Sequence, residues 1–236
     1  FDEQATWTGS IVRHPDGTLS FVYKASAEIG ELGYNTRELR SAIRGDSLLR
    51  LALENPGAQA LVLGHTRWAS VGIISQANAH PLDSDEVKAE SDGVKVDSDG
   101  VVAPYVTAVL NGDVDNFADL KATEGLAIAP EITTDAKVIP TLTSRRLAAG
   151  SQLDEAFRTT VTELEGSVAI AASAASHPDD LLLALRGSGQ ALYIGLAEDA
   201  YIVASEPYGV VEEATRYVRM DGEHGGEIIA VDGRTA

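Results

Sequence analysis

The chain holds 236 residues, 44% apolar and 23% charged, with a formal net charge of −18 and no cysteine. That composition fits a soluble globular protein of one large domain or two small ones, and no apolar run nears the roughly 18 residues a membrane-crossing helix needs. The charge argues against nucleic acid, because phosphate binding needs clustered Lys and Arg, and the lack of cysteine removes disulfides, thiolate metal sites and cysteine catalysis by these residues.

Residues 5–25 form two β-prone runs around the turn His14-Pro15-Asp16-Gly17. Between Asn35 and Asn55, apolar residues recur at helical spacing (Leu39, Ala42, Ile43, Leu48, Leu49, Leu51), which predicts helix broken near Gly45. Residues 60–69 read as a buried-type strand that turns polar at His65-Thr66-Arg67-Trp68. The Asp-, Ser- and Gly-rich stretch 82–100 reads as a solvated loop or excursion with short strand pieces and without chemistry. A strand over 101–110 leads into Asn111-Gly112, and 116–123 predicts a short helix stopped by Gly125.

A further helix is predicted from Thr134 as N-cap, with Pro140 set to kink or shorten it. Residues 153–164 give the clearest helix, with Leu153, Phe157, Val161 and Leu164 on one face. Ser151 offers its cap, Asp154 the capping-box partner, and Gly166 the stop. Short strands follow at 167–173, 181–186, 191–196, 201–205, 217–220 and 227–231, with turns at 197–199 and 221–222 suited to antiparallel hairpins. Strands, helices and strands again predict an α+β layered domain rather than a βαβ repeat. No repeat or low-complexity linker divides the chain, so residues 1–236 read as one domain.

Polar groups at the ends of apolar strands are the first candidates for chemistry. Arg67 offers a planar fork suited to a carboxylate, although an isolated arginine is more often a structural ion-pair partner. The Asn111 amide and the Gly112 N–H can jointly face an oxyanion, or simply make an Asn-Gly turn. Asp135 opens a predicted helix, where the dipole favours a carboxylate. His80 either orients a group near such a site or holds the turn at Pro81. Ser188, within 186–189, lacks the lysine of a phosphate loop and lies between strands. His14, His177 and His224 fall in predicted turns with no partner at metal-ligand spacing, so neither a metal nor another cofactor is expected.

In their order and wording these residues resemble the class II glutamine amidotransferases, closest to the glutaminase domain of glucosamine-6-phosphate synthases. The resemblance runs through His65-Thr66-Arg67-Trp68-Ala69-Ser70-Val71-Gly72, Asn78-Ala79-His80-Pro81, Leu110-Asn111-Gly112 with Asn116, and Thr134-Asp135-Ala136-Lys137-Val138. It continues through Leu185-Arg186-Gly187-Ser188-Gly189, Tyr193-Ile194-Gly195-Leu196 and Ile202-Val203-Ala204-Ser205-Glu206, and so covers almost the whole chain. It implies the N-terminal-nucleophile hydrolase fold, a four-layer αββα sandwich whose first strand and helix would precede Phe1. It further implies that Arg67 holds the α-carboxylate of glutamine and Asp135 its α-ammonium. Asn111 and Gly112 would then form the oxyanion hole, with Trp68, Ser70 and His80 shaping the pocket. The chemistry agrees on its own terms, because a zwitterion needs one cationic and one anionic anchor. The implied partners are glutamine, a sugar-isomerase (SIS) domain in the same or another chain, and further copies of the protein, all in the cytoplasm.

The sequence departs from the family pattern in places. The family's nucleophile is an N-terminal cysteine, and this chain has none. Val71 and Leu110 stand where the family has histidine, and Thr134-Asp135-Ala136-Lys137 replaces its S-D-T-E. Two readings follow. One is a glutaminase whose cysteine lies upstream and whose ammonia passes to a synthase. The other is a catalytically inactive domain of the same fold that binds glutamine or serves as a scaffold.

Overall fold

The computed structural model describes residues 6–26, 33–66, 73–87, 103–187 and 189–235. It opens with a hairpin of β1 (Thr6–Arg13) and β2 (Leu19–Ser26), in register from Thr6↔Ser26 to Arg13↔Leu19. His14 closes the turn between them. Its N–H donates to Thr18 O at 2.9 Å, its Nε2 lies 2.8 Å from Ser20 Oγ, and its ring sits 5.0 Å from that of Tyr105. Helices α1 (Tyr34–Gly45) and α2 (Ser47–Leu53) follow, and the break between them falls at Asp46. The Asp46 carboxylate accepts from the Leu48 and Leu49 N–H groups and from the Tyr23 hydroxyl, so it caps α2 and ties it to β2.

A five-stranded antiparallel sheet forms the centre. It contains β3 (Leu82–Asp83), β4 (Val106–Gly112), β5 (Val168–Ala174), β6 (His177–Arg186) and β10 (Glu227–Asp232), in the order β10-β6-β5-β4-β3. Successive side chains of a strand face opposite ways, and here each way leads to its own core. Val106, Ala108 and Leu110 of β4, with Val168 and Ile170 of β5, bury against Ile139, Leu142, Phe157 and Val161. Those partners come from α4 (Val138–Ala148) and α5 (Leu153–Glu163), with α3 (Phe117–Thr123) adding Leu120.

The opposite face brings Ala169, Leu183, Leu185 and Val231 against Leu192, Ile194, Tyr201 and Val203. Most of these belong to a three-stranded sheet of β7 (Tyr193–Leu196), β8 (Tyr201–Ala204) and β9 (Arg216–Arg219), ordered β8-β7-β9. Beyond it lies α6 (Tyr208–Val211), so close that a Cβ added at Gly195 would stand 2.3 Å from Val210 Cγ1. The α+β layering expected from the order of elements is therefore present. No helix among the described residues is long and apolar enough to cross a membrane.

Several local expectations are corrected. Pro140 neither kinks nor shortens its helix, because a 3-10 turn, Asp135–Lys137, comes first and leaves Pro140 in the first turn of α4. There a missing N–H costs nothing. Thr134 is no side-chain cap, since its hydroxyl turns to Asp135 Oδ1 at 3.3 Å. Ser151 does not cap α5 either; Gln152 holds that position without a side-chain bond, and Asp154 and Glu155 supply negative charge to the first turn. At the other end, the Arg186 guanidinium donates to the carbonyls of Val161 and Leu164.

The strand expected over 60–69 is not formed at 60–66, where Val62 is 83% exposed. An extended run becomes a strand only with a ladder partner, and no described strand pairs with it. Residues 67–69 lie outside the described residues. The strand expected over 101–110 begins at Val106 and runs on through Asn111-Gly112, which is therefore strand and not turn. His177 likewise opens β6 rather than lying in a turn, and 221–222 is no hairpin, because β9 and β10 belong to different sheets.

The stretch 82–100 opens with the short strand piece expected there, β3, and 88–100 lie outside the described residues; ion pairs at its start were not expected. The buried Lys137 ammonium donates to Asp83 O at 2.6 Å and Asp83 Oδ1 at 2.9 Å, and Arg145 pairs with Glu86 at 2.7 Å. Burial also holds the Lys24 ammonium below the usual lysine range, with Asp83 opposing that shift.

Candidate functional site

The candidate residues gather where β4 ends. Asn111 is exposed and pairs with Ala169, and Gly112 pairs with Val168. Gly112 has φ +119°, and an added Cβ would fall 2.0 Å from Ser167 O, so only glycine fits there. Two residues on, the Val114 N–H donates to Asp135 Oδ2 at 2.7 Å. The Asp135 side chain is thereby drawn to the end of β4, although it is only 4% exposed. A carboxylate has about four acceptor positions, and the bonds from Val114 and Thr134 occupy two of them.

His80 joins this end of the sheet from another direction. β3 covers β4 only at Ala108 and Thr107. Beyond that step, the Leu110 N–H donates to His80 Nδ1 at 3.3 Å. An accepting Nδ1 carries no proton, so the neutral ring holds its proton on Nε2. The same ring packs at a tilt of 36° against His65, with centroids 4.4 Å apart. His80 thus bridges the segment that leads to Arg67 and the strand that leads to Asn111.

Between the five-stranded sheet and residues 58–66 lies a cleft of about 890 Å³. Val109, Asn111 and Ala171 form part of one wall, Tyr201 stands on β8, and His65 and Thr66 line the other side. Asn111 is the described candidate that lines this cleft; Gly112, Asp135 and His80 do not. Arg67, Trp68 and Ser70 lie outside the described residues, as does Ser188. Among the described residues no group of three His, Asp or Glu side chains could hold a metal.

One residue of this region had no role assigned from sequence. Asn78, 2% exposed, accepts from the Thr133 and Thr134 N–H groups at 2.7 and 3.1 Å and donates to Ile73 O and Thr133 Oγ1, each at 3.1 Å. The Asn-Ala-His-Pro wording marked it, but its partners near Asp135 are 55 and 56 positions away.

No protein-family model matches the chain. Its backbone is similar to that of a solved glutamine phosphoribosylpyrophosphate amidotransferase from B. subtilis, complexed with ADP and GMP. The TM-score is 0.50 at 20% identity, over 72% of this chain and 34% of that one. The fold is that of the N-terminal-nucleophile glutamine amidotransferases. In sequence the chain is 31% identical over 198 residues to the isomerizing glutamine–fructose-6-phosphate aminotransferase of Chlamydia abortus, covering 81% of this chain and 29% of that one. It is 29% identical over 211 residues to the enzyme of that name from Caulobacter vibrioides, covering 89% and 31%. The chain is thus a relative of these aminotransferases over most of its own length, and it spans under a third of theirs.

Proposed function

We propose that this chain is the glutaminase domain of a glucosamine-6-phosphate synthase-like aminotransferase and forms the glutamine-recognising part of its active site. The observation that carries this reading is the Val114–Asp135 bond, which joins a buried carboxylate to the strand end bearing Asn111 and Gly112. Arg67 would grip the α-carboxylate and Asp135 the α-ammonium, with Trp68, Ser70 and His80 shaping the walls around them. The side-chain amide would then reach towards Asn111 and Gly112. There, hydrogen-bond donors stabilise the oxyanion that forms when a nucleophile adds to the amide carbon. Collapse of that adduct expels ammonia and leaves an acyl-enzyme, which water hydrolyses to glutamate.

The nucleophile of this reaction is not among the 236 residues, which contain no cysteine. In this reading it comes from sequence preceding Phe1, and the ammonia passes to a SIS domain of the same assembly, a cytoplasmic homo-oligomer. The absence of cysteine also supports a second reading, a non-catalytic glutamine-binding or scaffolding domain.

Calorimetric titration with glutamine tests recognition. Binding that is lost in Arg67→Ala and Asp135→Asn supports the site, and a chain that takes up no glutamine overturns it. Release of ammonia from glutamine by the full gene product then separates the glutaminase from the binding module.

A further inference from the structure

We infer that Asn78 is a positioning residue for Asp135, acting as a latch between the loop at Ile73 and the segment that delivers the carboxylate; the inference rests on the glutamine reading above. A single buried amide uses both its faces here. Its oxygen accepts from the N–H groups of Thr133 and Thr134. Its nitrogen donates to Ile73 O and Thr133 Oγ1, and lies 3.1 Å from Ser75 Oγ. The Ile73 N–H donates back to Thr133 Oγ1 at 3.4 Å.

The residue after this latch is Asp135. Thr134, held through its N–H by Asn78, turns its hydroxyl to Asp135 Oδ1, while the Val114 N–H meets Asp135 Oδ2. A chain of hydrogen bonds therefore runs from the Ile73 loop through Asn78, Thr134 and Asp135 to the turn that follows β4. The Asn78 amide is taken up by these protein partners rather than offered to a ligand. Its effect on substrate passes through the carboxylate. Both oxygens of Asp135 must stay aligned for a third donor, the ammonium, to be met without rearrangement, and the latch supplies that alignment.

Two measurements test this. The first compares calorimetric affinities for glutamine and for glutaramate, which is glutamine without its α-amino group. The ratio of the two reads what the ammonium contributes, and a stability change alone leaves it where it is. In Asn78→Ala the ratio falls about tenfold, the loss of one well-aligned bond to a charged group. An unchanged ratio beside a lower Tm means that Asn78 only braces the fold, and overturns the inference. Asn78→Gln keeps an amide but shifts its oxygen by one methylene, and it carries the same expectation should Asn78→Ala not fold.

The second measurement is amide hydrogen exchange without ligand. Protection in Asn78→Ala should fall at Thr133 and Thr134 and also at Val114, whose N–H has Asp135 as its partner. Unchanged protection at Val114 overturns the inference whether or not glutamine binds. A chain that binds no glutamine but loses Val114 protection refutes the glutamine reading and leaves the latch standing.

Discussion

The Val114 N–H and the Asp135 carboxylate are joined by a bond of 2.7 Å, so the end of β4 and the start of the Asp135–Lys137 turn form one unit. Asp135→Asn keeps an oxygen to accept from Val114 but loses the charge. Its cost to stability should stay near 1 kcal/mol, the scale of a weakened neutral hydrogen bond. Glutamine affinity should fall by more than about tenfold if the carboxylate meets an ammonium. Thermal melts and calorimetry on the same samples check both halves; full affinity in the variant would detach Asp135 from the ammonium.

Gly112→Ala is expected to be severe. The backbone sits at φ +119° and the new methyl group would lie 2.0 Å from Ser167 O, so strain and overlap add. A loss of at least about 2 kcal/mol should appear in urea unfolding. By contrast, Gly17→Ala, with φ +92° but nothing within 4 Å, should lose less. Equal losses at the two positions would mean that contact with Ser167 contributes nothing.

The Lys137–Asp83 pair predicts an asymmetry. Lys137 is 1% exposed, whereas Asp83 is 36% exposed. Asp83→Ala strands a buried ammonium and removes the carboxylate that also favours the charged form of Lys24, a cost of about 3 kcal/mol. Lys137→Met leaves a carboxylate that water can reach, at a cost of about 1 kcal/mol. Chemical denaturation of the two variants should rank them in that order, and the reverse ranking would contradict the burial argument.

Acid should weaken the β1–β2 hairpin through His14. Burial lowers the pKa of this ring below its ordinary value of 6.5, against an opposing pull from Asp16. The unfolded chain therefore takes up the proton first. His14's contribution is full above 6.5 and is lost as pH falls from there through the lower folded-state value. Melting curves between about pH 8 and pH 5 should show a smaller drop for His14→Gln than for the natural chain. Parallel curves would remove His14 from the acid response.

What the sequence made legible was whatever depends on near neighbours. The spacing of Leu153, Phe157 and Val161 marks α5 because one helical face is set by local periodicity. Asn111-Gly112 and Asp135 stood out because strand ends and helix starts carry local signals. The misses share a cause. Residues 60–66 read as strand, but pairing is decided by a neighbour elsewhere in the chain. Pro140 read as a breaker because the turn at Asp135–Lys137, which sets the helix start at Val138 and leaves Pro140 in its first turn, is held by Asn78 and Val114 from outside. Asn78 itself carries no periodic signal, and its purpose lies 55 positions away.

The alternation along β4 has a bearing on how this site can change over time. Leu110 points into the helix-side core, while Asn111 points into the cleft, and β4 holds them through the pairs Leu110↔Ile170 and Asn111↔Ala169. Sliding the strand by one residue would exchange the two, sending an amide into the apolar core and a leucine into the cleft. The packing of Phe157 and Leu142 thus acts as a ruler for the cleft on the far side of the sheet. Mutations that never approach the cleft can misplace its polar group, and an insertion inside β4, between Leu110 and Asn111, would turn the amide to the core side in one event.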